Sequence, residues 1–379
     1  MNRFTIPIAT LCLIVPAVAD DTADAIQALQ SVGERSAGTV DARTAVQTLK
    51  QGGADNLLPV LKAFNGSSLL AKNWLRSAFE GIADAEQKAG RTLPKGDLLA
   101  FVKDTSESPS ARRMTFEWLL KRSPQLEDQL IPGMLLDPSP DFRRDAVKRL
   151  IDQASATKDG AATDLYAKAM SGAVHEDQVK TIAKALQDAG IEVNIPRHFG
   201  FLMAWKIIGP FDNKDQKGFP VVYPPEKTLD LSAEYEGQLG NVKWQPITTE
   251  DDYGVVDIGK QIENYKGSLM YATTTWQSEM DQAVEIRLGT PNAWKLWVND
   301  ELIFEREEYH RGTRLDQYKV PVSLKAGANT ILVKICQNEQ EQSWAQDYKF
   351  QMRVCNRTGA AVLPVTRAAA NSTPRKEIR

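Results

Sequence analysis

The sequence predicts two successive folds, an α-helical half followed by an antiparallel β half. Apolar residues recur at helical spacing from about residue 22 to residue 190, and beyond about residue 200 they alternate with polar residues. Pro196 and Gly200 interrupt the chain where the period changes. A chain of 379 residues is long enough for roughly two or three domains. We therefore expect a helical domain over 20–195 and a β domain over 196–360.

The first 19 residues are typical of a signal peptide. Arg3 supplies a positive charge, an apolar run covers residues 4–15, and an A-x-A cleavage pattern ends at Ala19. A retained membrane anchor is the alternative, but the run is shorter than the roughly 20 residues that a spanning helix needs. No later segment is long and apolar enough to span a membrane. We therefore expect the mature protein to be exported, in the periplasm or outside the cell.

Amphipathic helices separated by short breakers account for the helical half. In "FRRDAVKRLID" the apolar positions fall on one helix face. The stretches "SPSARRMTFEWLLK" and "SPDFRRDAVKRLID" align with Pro109 over Pro140, an offset of 31 residues, and each carries a pair of arginines. In this the segment resembles HEAT-like repeats, and the resemblance implies an α-solenoid. An irregular helical bundle is the alternative.

Short strands separated by Gly, Pro and Asn turns account for the β half. In "AVEIRLG" apolar and polar residues alternate, which places Val284, Ile286 and Leu288 on one face. The stretch "AWKLWVNDELIFERE" predicts a hairpin with Asn299-Asp300 at its turn, because this pair tolerates the positive φ that a tight hairpin requires. Many such strands at close spacing predict an antiparallel β-sandwich.

The two ends of the β domain follow from the same signals. The stretch "WKIIG" is predicted to be its first strand, with Trp205 and Ile207 on one face. Gly209 and Pro210 should then turn the chain out into a loop. Residues 361–379 are small, polar and mildly basic, which predicts a disordered tail.

Four stretches of the β half together resemble a known module. They are "AWKIIGPFDN", "YPPEKTLDL", "KLWVNDELIF" and "VSLKAGANTILVKICQNE". They resemble the galactose-binding-like jelly roll that is attached to many bacterial glycoside hydrolases, over about residues 200–360. The resemblance implies a jelly-roll β-sandwich that either binds carbohydrate or serves as an inert spacer.

Composition and motifs disfavour several classes of function. A net charge of −3 gives no reason to expect nucleic acid as a partner. The sequence has neither a G-x-S-x-G elbow nor a Gly-rich phosphate loop. Sugar hydrolysis needs two carboxylates in a cleft. Because no catalytic module accompanies the acidic residues of the β half, we do not expect the protein to be an enzyme. Those acidic residues are Glu226, Asp230, Asp251, Asp252 and Asp257.

Aromatic and basic residues of the predicted loops are the candidates for ligand binding. Sugar sites generally pair a rigid aromatic face with hydrogen-bonding side chains. The alternative for each aromatic residue is that it fills a gap at the edge of the sandwich. The candidates in loops are Trp276, Tyr309, Arg311, Arg314 and Trp344, and a further candidate is Trp297, on the strand face opposite Trp294.

Metal and cysteine chemistry can be assessed from a few residues. Asp212 is a candidate calcium ligand, although calcium needs six to eight oxygens, and no other cofactor is expected. Cys12 leaves with the signal peptide. Cys336 and Cys355 end two strands that we expect to be neighbours, and a hairpin register sets these ends far apart. Two free thiols are therefore favoured over a disulfide.

Together these observations predict an exported, non-enzymatic protein that binds a polysaccharide or glycan through the loops of its sandwich. One alternative is a scaffold that engages another exported protein through the helical repeats, the sandwich being structural. The repeated arginines could then form a basic ladder on the helical surface: Arg112, Arg113, Arg143 and Arg144. A lesser alternative is an accessory subunit of a polysaccharide-degrading system.

Overall fold

The structure, a computed structural model, describes residues 18–157 and 160–365. Helices occupy the N-terminal part of the chain and antiparallel sheets the C-terminal part, so the predicted order of α followed by β is confirmed. The chain divides into two compact units between Phe142 and Arg143. Within the described ranges, no helix is both long and apolar enough to cross a membrane.

The first ten helices lie before residue 190, and two short ones follow. They are α1 (Val18–Gln30), α2 (Thr39–Gln51), α3 (Leu57–Lys62), α4 (Leu69–Lys88), α5 (Lys95–Lys103), α6 (Pro109–Leu120), α7 (Leu126–Leu130), α8 (Pro140–Ala156), α9 (Ala161–Gly172), α10 (Glu176–Asp188), α11 (Ile195–Phe199) and α12 (Pro224–Lys227). The predicted signal peptide lies outside the described residues, apart from the first two residues of α1.

Among residues 18–157 and 160–365, the strands all follow residue 203. They are β1 (Ala204–Asp212), β2 (Glu234–Gly237), β3 (Gly240–Lys243), β4 (Gln245–Thr248), β5 (Val255–Asp257), β6 (Ser268–Ser278), β7 (Gln282–Gly289), β8 (Ala293–Val298), β9 (Glu301–Arg306), β10 (Tyr318–Leu324), β11 (Gly327–Gln337) and β12 (Lys349–Cys355).

Helix α4 organises the start of the first unit. It begins where the Ser68 hydroxyl accepts a hydrogen bond of 3.1 Å from the N–H of Ala71, which satisfies one of the free donors of the first turn. Leu75, Phe79 and Ile82 recur at helical spacing and are fully buried. This apolar stripe packs in a region where α4 contacts α1, α2 and α3.

A buried ion pair lies near the C-terminal end of the same unit. The Arg112 guanidinium is fully buried and donates to both carboxylate oxygens of Asp137, at 2.9 and 2.7 Å. Its Nε donates to the carbonyl of Val102 at 2.8 Å, and the group lies 5.1 Å from the centroid of the Phe142 ring. The guanidinium therefore joins the chain segments that contain Val102 and Asp137. Arg112 has no solvated surface to contribute to the predicted basic ladder.

We predict that Asp137→Asn destabilises the first unit by about 3–5 kcal/mol, because it leaves the buried Arg112 charge without its counterion. Urea unfolding followed by far-UV circular dichroism measures the loss. Asp141→Asn is the matched control, since Asp141 is exposed and contributes at most about 1 kcal/mol through the helix N-terminus. Equal stability of the two variants would contradict a structural role for the pair.

Two antiparallel sheets form the second unit's β-sandwich. One has six strands in the order β4-β1-β6-β11-β8-β9, and the other has four in the order β10-β7-β12-β5. Apolar residues of both sheets form one buried cluster, to which the strand faces predicted from the alternation contribute. These include Trp205, Ile207, Val284, Ile286, Leu288, Trp294, Leu296 and Val298.

Two turns show how far local sequence determines the sandwich. The predicted β8–β9 hairpin is confirmed, with positive φ of 52° at Asn299 and 68° at Asp300. The predicted exit after Gly209 is wrong. Strand β1 continues to Asp212, because a shift of register between Ile208 and Phe211 lets it pair again with β6.

The two cysteines lie in different sheets. Strand β11, which carries Cys336, pairs with β6 and β8, whereas β12, which carries Cys355, pairs with β5 and β7. The expectation that these strands are neighbours is therefore wrong, because the chain crosses from one sheet to the other between them. Both thiols are free and buried, and burial raises the pKa of Cys336 to about 12.

The six-stranded sheet is buried on its outer face as well. Residues of the segment 213–244 cover it, including Phe219 and Val242, and they form a second apolar cluster with Phe211, Tyr271 and other residues of the sheet. This cover includes α12 and the small β2–β3 hairpin. The sheet therefore has apolar contacts on both sides, although the sequence alternation predicts only one.

The predicted disordered tail begins with five described residues. The N–H of Val362 donates to the carbonyl of Val354 at 3.1 Å, and the N–H of Val365 donates to the carbonyl of Gln277 at 3.0 Å. Residues 361–365 thus pair with the sandwich. The remainder of the predicted tail, 366–379, lies outside the described residues.

A candidate binding site on the loops of the sandwich

Trp344 presents its indole to solvent at one end of the sandwich. Trp344 is 61% exposed and lies on a turn between β11 and β12. The His310 ring meets it edge-on, with 5.2 Å between the ring centroids. His310 Nε2 is hydrogen-bonded to Asn338 Oδ1 at 2.8 Å. An exposed aromatic face with an oriented imidazole beside it is therefore available for ligand contact.

Hydrogen bonds hold the backbone turn under Trp344. Lys266 Nζ donates to the carbonyl of Ala345 at 2.9 Å, and Gln337 Nε2 donates to the same oxygen at 3.3 Å. Gln346 Nε2 donates to the carbonyl of Gln342 at 3.0 Å. Because the turn is closed by its own hydrogen bond and its Ala345 end is bonded to other segments, little conformational entropy is lost when a ligand contacts the indole.

Tyr309 stands next to His310 but points its hydroxyl into the protein. The ring centroids of these two residues are 6.3 Å apart. Asn213 Nδ2 donates to the Tyr309 hydroxyl at 3.2 Å and to the carbonyl of Gln337 at 3.0 Å. Burial raises the pKa of Tyr309 above its ordinary value. Tyr309 therefore supports the loop cluster rather than offering a free polar group.

The predicted arginines divide between two places. Arg311 donates to Glu308 at 3.0 Å, and Arg306 donates to the same carboxylate at 2.7 Å. Hydrogen bonds from Arg306 and then Arg311 lower the pKa of Glu308. Arg314 lies elsewhere, in a cleft that Tyr253 also lines. We call Tyr309, His310, Arg311, Asn338 and Trp344 the Trp344 cluster.

Two predicted ligand-binding tryptophans are buried, and their assignment to an exposed surface is wrong. Trp276 is 1% exposed, since the predicted loop around it is strand β6 and its side chain joins the core between the sheets. Trp297 is 6% exposed. It lies on the outer face of its sheet, as predicted, but the cluster formed with the covering segment encloses it.

Asp212 does not gather other oxygen ligands around it. Its side chain is exposed at the end of β1 and accepts a hydrogen bond of 3.1 Å from the N–H of Lys214. Among residues 18–157 and 160–365 there is no group of three or more His, Cys, Asp or Glu that could hold a metal ion.

Beneath the covering segment lies a buried lysine that the sequence analysis missed. Lys334 is fully buried and donates from Nζ to the carbonyls of Phe219 and Val221, at 3.0 and 2.7 Å. It also donates to Glu226 Oε1 at 2.9 Å, and the Tyr271 hydroxyl donates to the same oxygen. Burial lowers the pKa of Lys334 and raises that of Tyr271. Alternation along β11 could have placed Lys334 on the outer face, beside Cys336.

This arrangement assigns Glu226 a structural contact. Its carboxylate, considered above among the acids of the β half, has a side chain only 6% exposed and is held by Lys334. Asp251 and Asp257 accept backbone N–H groups, those of Tyr253 and Lys260, at 2.8 and 3.1 Å. The carboxylates of all three residues therefore make contacts within the chain.

A buried ion triad was also missed. Asp316 accepts hydrogen bonds from Arg353, at 2.6 Å from both Nε and Nη2, and from Arg287 Nη1 at 2.5 Å. Arg353 Nη1 donates further to the carbonyls of Phe199 and Gly359, at 3.1 and 2.9 Å. Burial by itself raises the pKa of Asp316, but the hydrogen bonds and charges of the two arginines outweigh it and leave that pKa below its ordinary value.

Comparison with known proteins yields partial similarities only. Neither a family model nor a curated protein matches the sequence. A β-glucosidase from Kluyveromyces marxianus, solved with glucose, is 12% identical over 40% of this chain, with a TM-score of 0.26. The match covers only 16% of that enzyme's chain. A GH31 α-xylosidase from Xanthomonas citri is 14% identical over 30% of this chain and 15% of its own, with a TM-score of 0.19. An anti-sigma factor domain-containing protein is 12% identical over 43% of this chain and 48% of its own, with a TM-score of 0.23.

We predict that Asp316→Asn lowers the free energy of unfolding by about 3–5 kcal/mol at neutral pH, because the buried Arg353 guanidinium loses its counterion and Arg287 keeps only Glu285, at 2.7 Å. The folded-state pKa of Asp316 is depressed, so its contribution is present above the unfolded value near 4 and is lost as pH falls through the folded value. The difference in free energy of unfolding between the variant and the unaltered protein should therefore shrink below pH 4. Unfolding by urea at a series of pH values measures it.

The control for this series is Asp215→Asn, which removes an exposed ion pair with Lys217. Its unfolding curves should stay close to those of the unaltered protein at every pH. A deficit in Asp316→Asn that does not change between pH 7 and pH 2 would show that the carboxylate charge is not what stabilises the triad.

Proposed function

We propose that this is an exported, non-catalytic protein that binds carbohydrate through the Trp344 cluster. The observation that carries the proposal is the exposed indole of Trp344, held on a tied turn and flanked by His310. A pyranose ring has an apolar face of C–H groups that stacks on an aromatic ring, and hydroxyls around its edge that need polar partners. The cluster offers both kinds of contact within one surface.

Rigidity of the site supports binding rather than simple exposure. Tryptophan side chains are largely buried on average, so an exposure of 61% is high for this residue type. The imidazole of His310 and the amide of Asn338 are linked by a hydrogen bond, and Asn338 Nδ2 donates to Gln340 Oε1 at 3.2 Å. Asn338 is buried and orients the imidazole, so the His310 ring is the polar group that meets a sugar hydroxyl at the edge of the indole.

The finer description of the fold belongs to the same proposal. We propose that the sandwich is a galactose-binding-like jelly roll and that the helical part is a HEAT-like solenoid. The sequence stretches that resemble those families support this, as do two antiparallel sheets that enclose one apolar core. Export is proposed from the signal-peptide pattern of residues 1–19. Calcium binding at Asp212 is not part of the proposal.

The alternative of a protein scaffold has less support. Its basic ladder requires free arginines, but Arg113 pairs with Glu117 at 2.7 Å and Arg144 pairs with Asp177 at 2.5 Å. Arg112 and Arg143 are buried. The repeated arginines thus serve contacts within the chain, and the surface expected to attract an acidic partner is largely neutralised.

The test is retention of the full-length protein on immobilised neutral and acidic polysaccharides, with and without calcium. We predict that Trp344→Ala weakens the binding of a retained polysaccharide about tenfold or more, which corresponds to about 1.4 kcal/mol. Trp344→Phe should preserve part of the affinity, because it keeps an aromatic face. Affinity electrophoresis in gels that contain the polysaccharide gives the dissociation constants.

Met280→Ala is the matched control, since Met280 is 59% exposed and lies in the turn between β6 and β7. It should bind as the unaltered protein does. If the folded protein is retained on none of the polysaccharides, or if Trp344→Ala binds as well as Met280→Ala, the proposal fails.

A further inference from the structure

A polar cleft lies against the outer side of the four-stranded sheet. Its volume is about 610 Å³, which suits a ligand of monosaccharide or disaccharide size. Residues from β12, from the segment before β10 and from the chain before β5 line it: Lys349, Gln351, Thr313, Arg314, Asp251 and Tyr253. None of these residues belongs to the Trp344 cluster.

Three polar atoms of the cleft residues lack a hydrogen-bond partner in the part of the chain that the structure describes. They are the Tyr253 hydroxyl, the Thr313 hydroxyl and the side-chain oxygen of Gln351. Gln351 is only 6% exposed. Leaving a buried donor or acceptor unpaired costs about 1–3 kcal/mol, so three of them around one cleft indicate that something polar satisfies them.

The charges of the cleft leave one cation unpaired. Glu176 is paired with Lys180 at 2.5 Å, Lys349 with Asp347 at 2.8 Å, and Asp251 Oδ1 accepts two backbone N–H groups. The side chain of Arg314 has no hydrogen-bond or ion-pair partner among the described residues; only its N–H does, to Gln317. A planar guanidinium with free donors matches a carboxylate in geometry and in charge.

The walls of the cleft are fixed in place. A Cβ added to Gly289 of β7 would come within 2.4 Å of the carbonyl oxygen of Arg314, so the segment before β10 rests directly on the sheet. Asp316, two residues later, is held by the ion triad. The Tyr253 ring packs near Phe199 and lies 4.8 Å from Lys180 Nζ. The unpartnered groups are therefore held in position before any ligand arrives.

We propose that this cleft is a second binding site, for a carboxylate that carries several hydroxyls, such as a uronic acid. Arg314 binds the carboxylate. Gln351 accepts a hydrogen bond from one sugar hydroxyl, and the hydroxyls of Thr313 and Tyr253 donate to or accept from others. Burial raises the pKa of Tyr253, so its hydroxyl keeps its proton and remains a donor at neutral pH. A neutral sugar makes the hydroxyl contacts but leaves Arg314 unused.

Isothermal titration of the full-length protein with D-galacturonate, D-galactose and inorganic phosphate tests the proposal. Galacturonate should bind more tightly than galactose. Arg314→Gln should weaken galacturonate binding about tenfold and leave galactose binding nearly unchanged. Gln351→Leu should weaken both, because it removes a hydroxyl contact that the two sugars share.

Arg306→Gln is the matched control, since Arg306 is an exposed arginine outside the Trp344 cluster and is already paired with Glu308. It should bind galacturonate normally. Trp344→Ala should keep the preference for galacturonate over galactose, which separates failure of this site from failure of the loop cluster. Thermal unfolding of each variant confirms that it is folded.

Three outcomes would overturn the proposal. They are no heat of binding with galacturonate, which would mean that water alone fills the cleft; equal binding by Arg314→Gln and the unaltered protein; and binding of phosphate as tight as that of galacturonate. The last would mark a general anion site that does not recognise the hydroxyls.

Discussion

The carboxylate of Asp316, enclosed between two buried guanidinium groups, is the interaction on which much of the β-sandwich depends. Arg287 projects from β7 and Arg353 from β12, so the triad joins two strands to the segment that precedes β10. Arg353 also reaches the carbonyls of Phe199 and Gly359, which brings α11 and the C-terminal turn to the same point. Two cations so close together would repel each other strongly in a dry environment. The Asp316 carboxylate between them, together with Glu285 beside Arg287, makes the arrangement tolerable.

A buried charge likewise joins the other sheet to the segment that covers it. Lys334 extends from β11 to carbonyl groups of the covering segment and to the carboxylate of Glu226. In both sheets the inner face is apolar and contributes to one core, whereas the outer face carries a buried charge that binds a cover. Apolar contact alone has little directional preference, but a charge with fixed hydrogen bonds specifies which backbone atoms of the cover meet the sheet.

These covering segments determine which polar and aromatic side chains remain exposed. The inner core takes Trp205, Trp276 and Trp294, and the covered outer face takes Trp297. Trp344 stays outside both layers, on a turn that protrudes beyond the ends of β11 and β12. The cleft beside Arg314 exists because the segment held by Asp316 lies against a sheet face from which Gln351 projects. The same ion triad therefore shapes this cleft and stabilises the fold.

Local sequence determined the order of α followed by β, the inner faces of the strands and the β8–β9 turn, because each depends on residues close together in the chain. Periodicity shows which side of a strand is apolar, and Asn299-Asp300 tolerates the turn geometry wherever the hairpin lies. Only the tertiary structure decided which outer faces are covered, that β11 and β12 belong to different sheets, and which charges pair. Arg287 and Asp316 are 29 residues apart, and Lys334 and Glu226 are 108 apart. No local pattern encodes such a partner, and so the burial of Trp276 and Trp297 and the cleft at Arg314 became visible only in the folded chain.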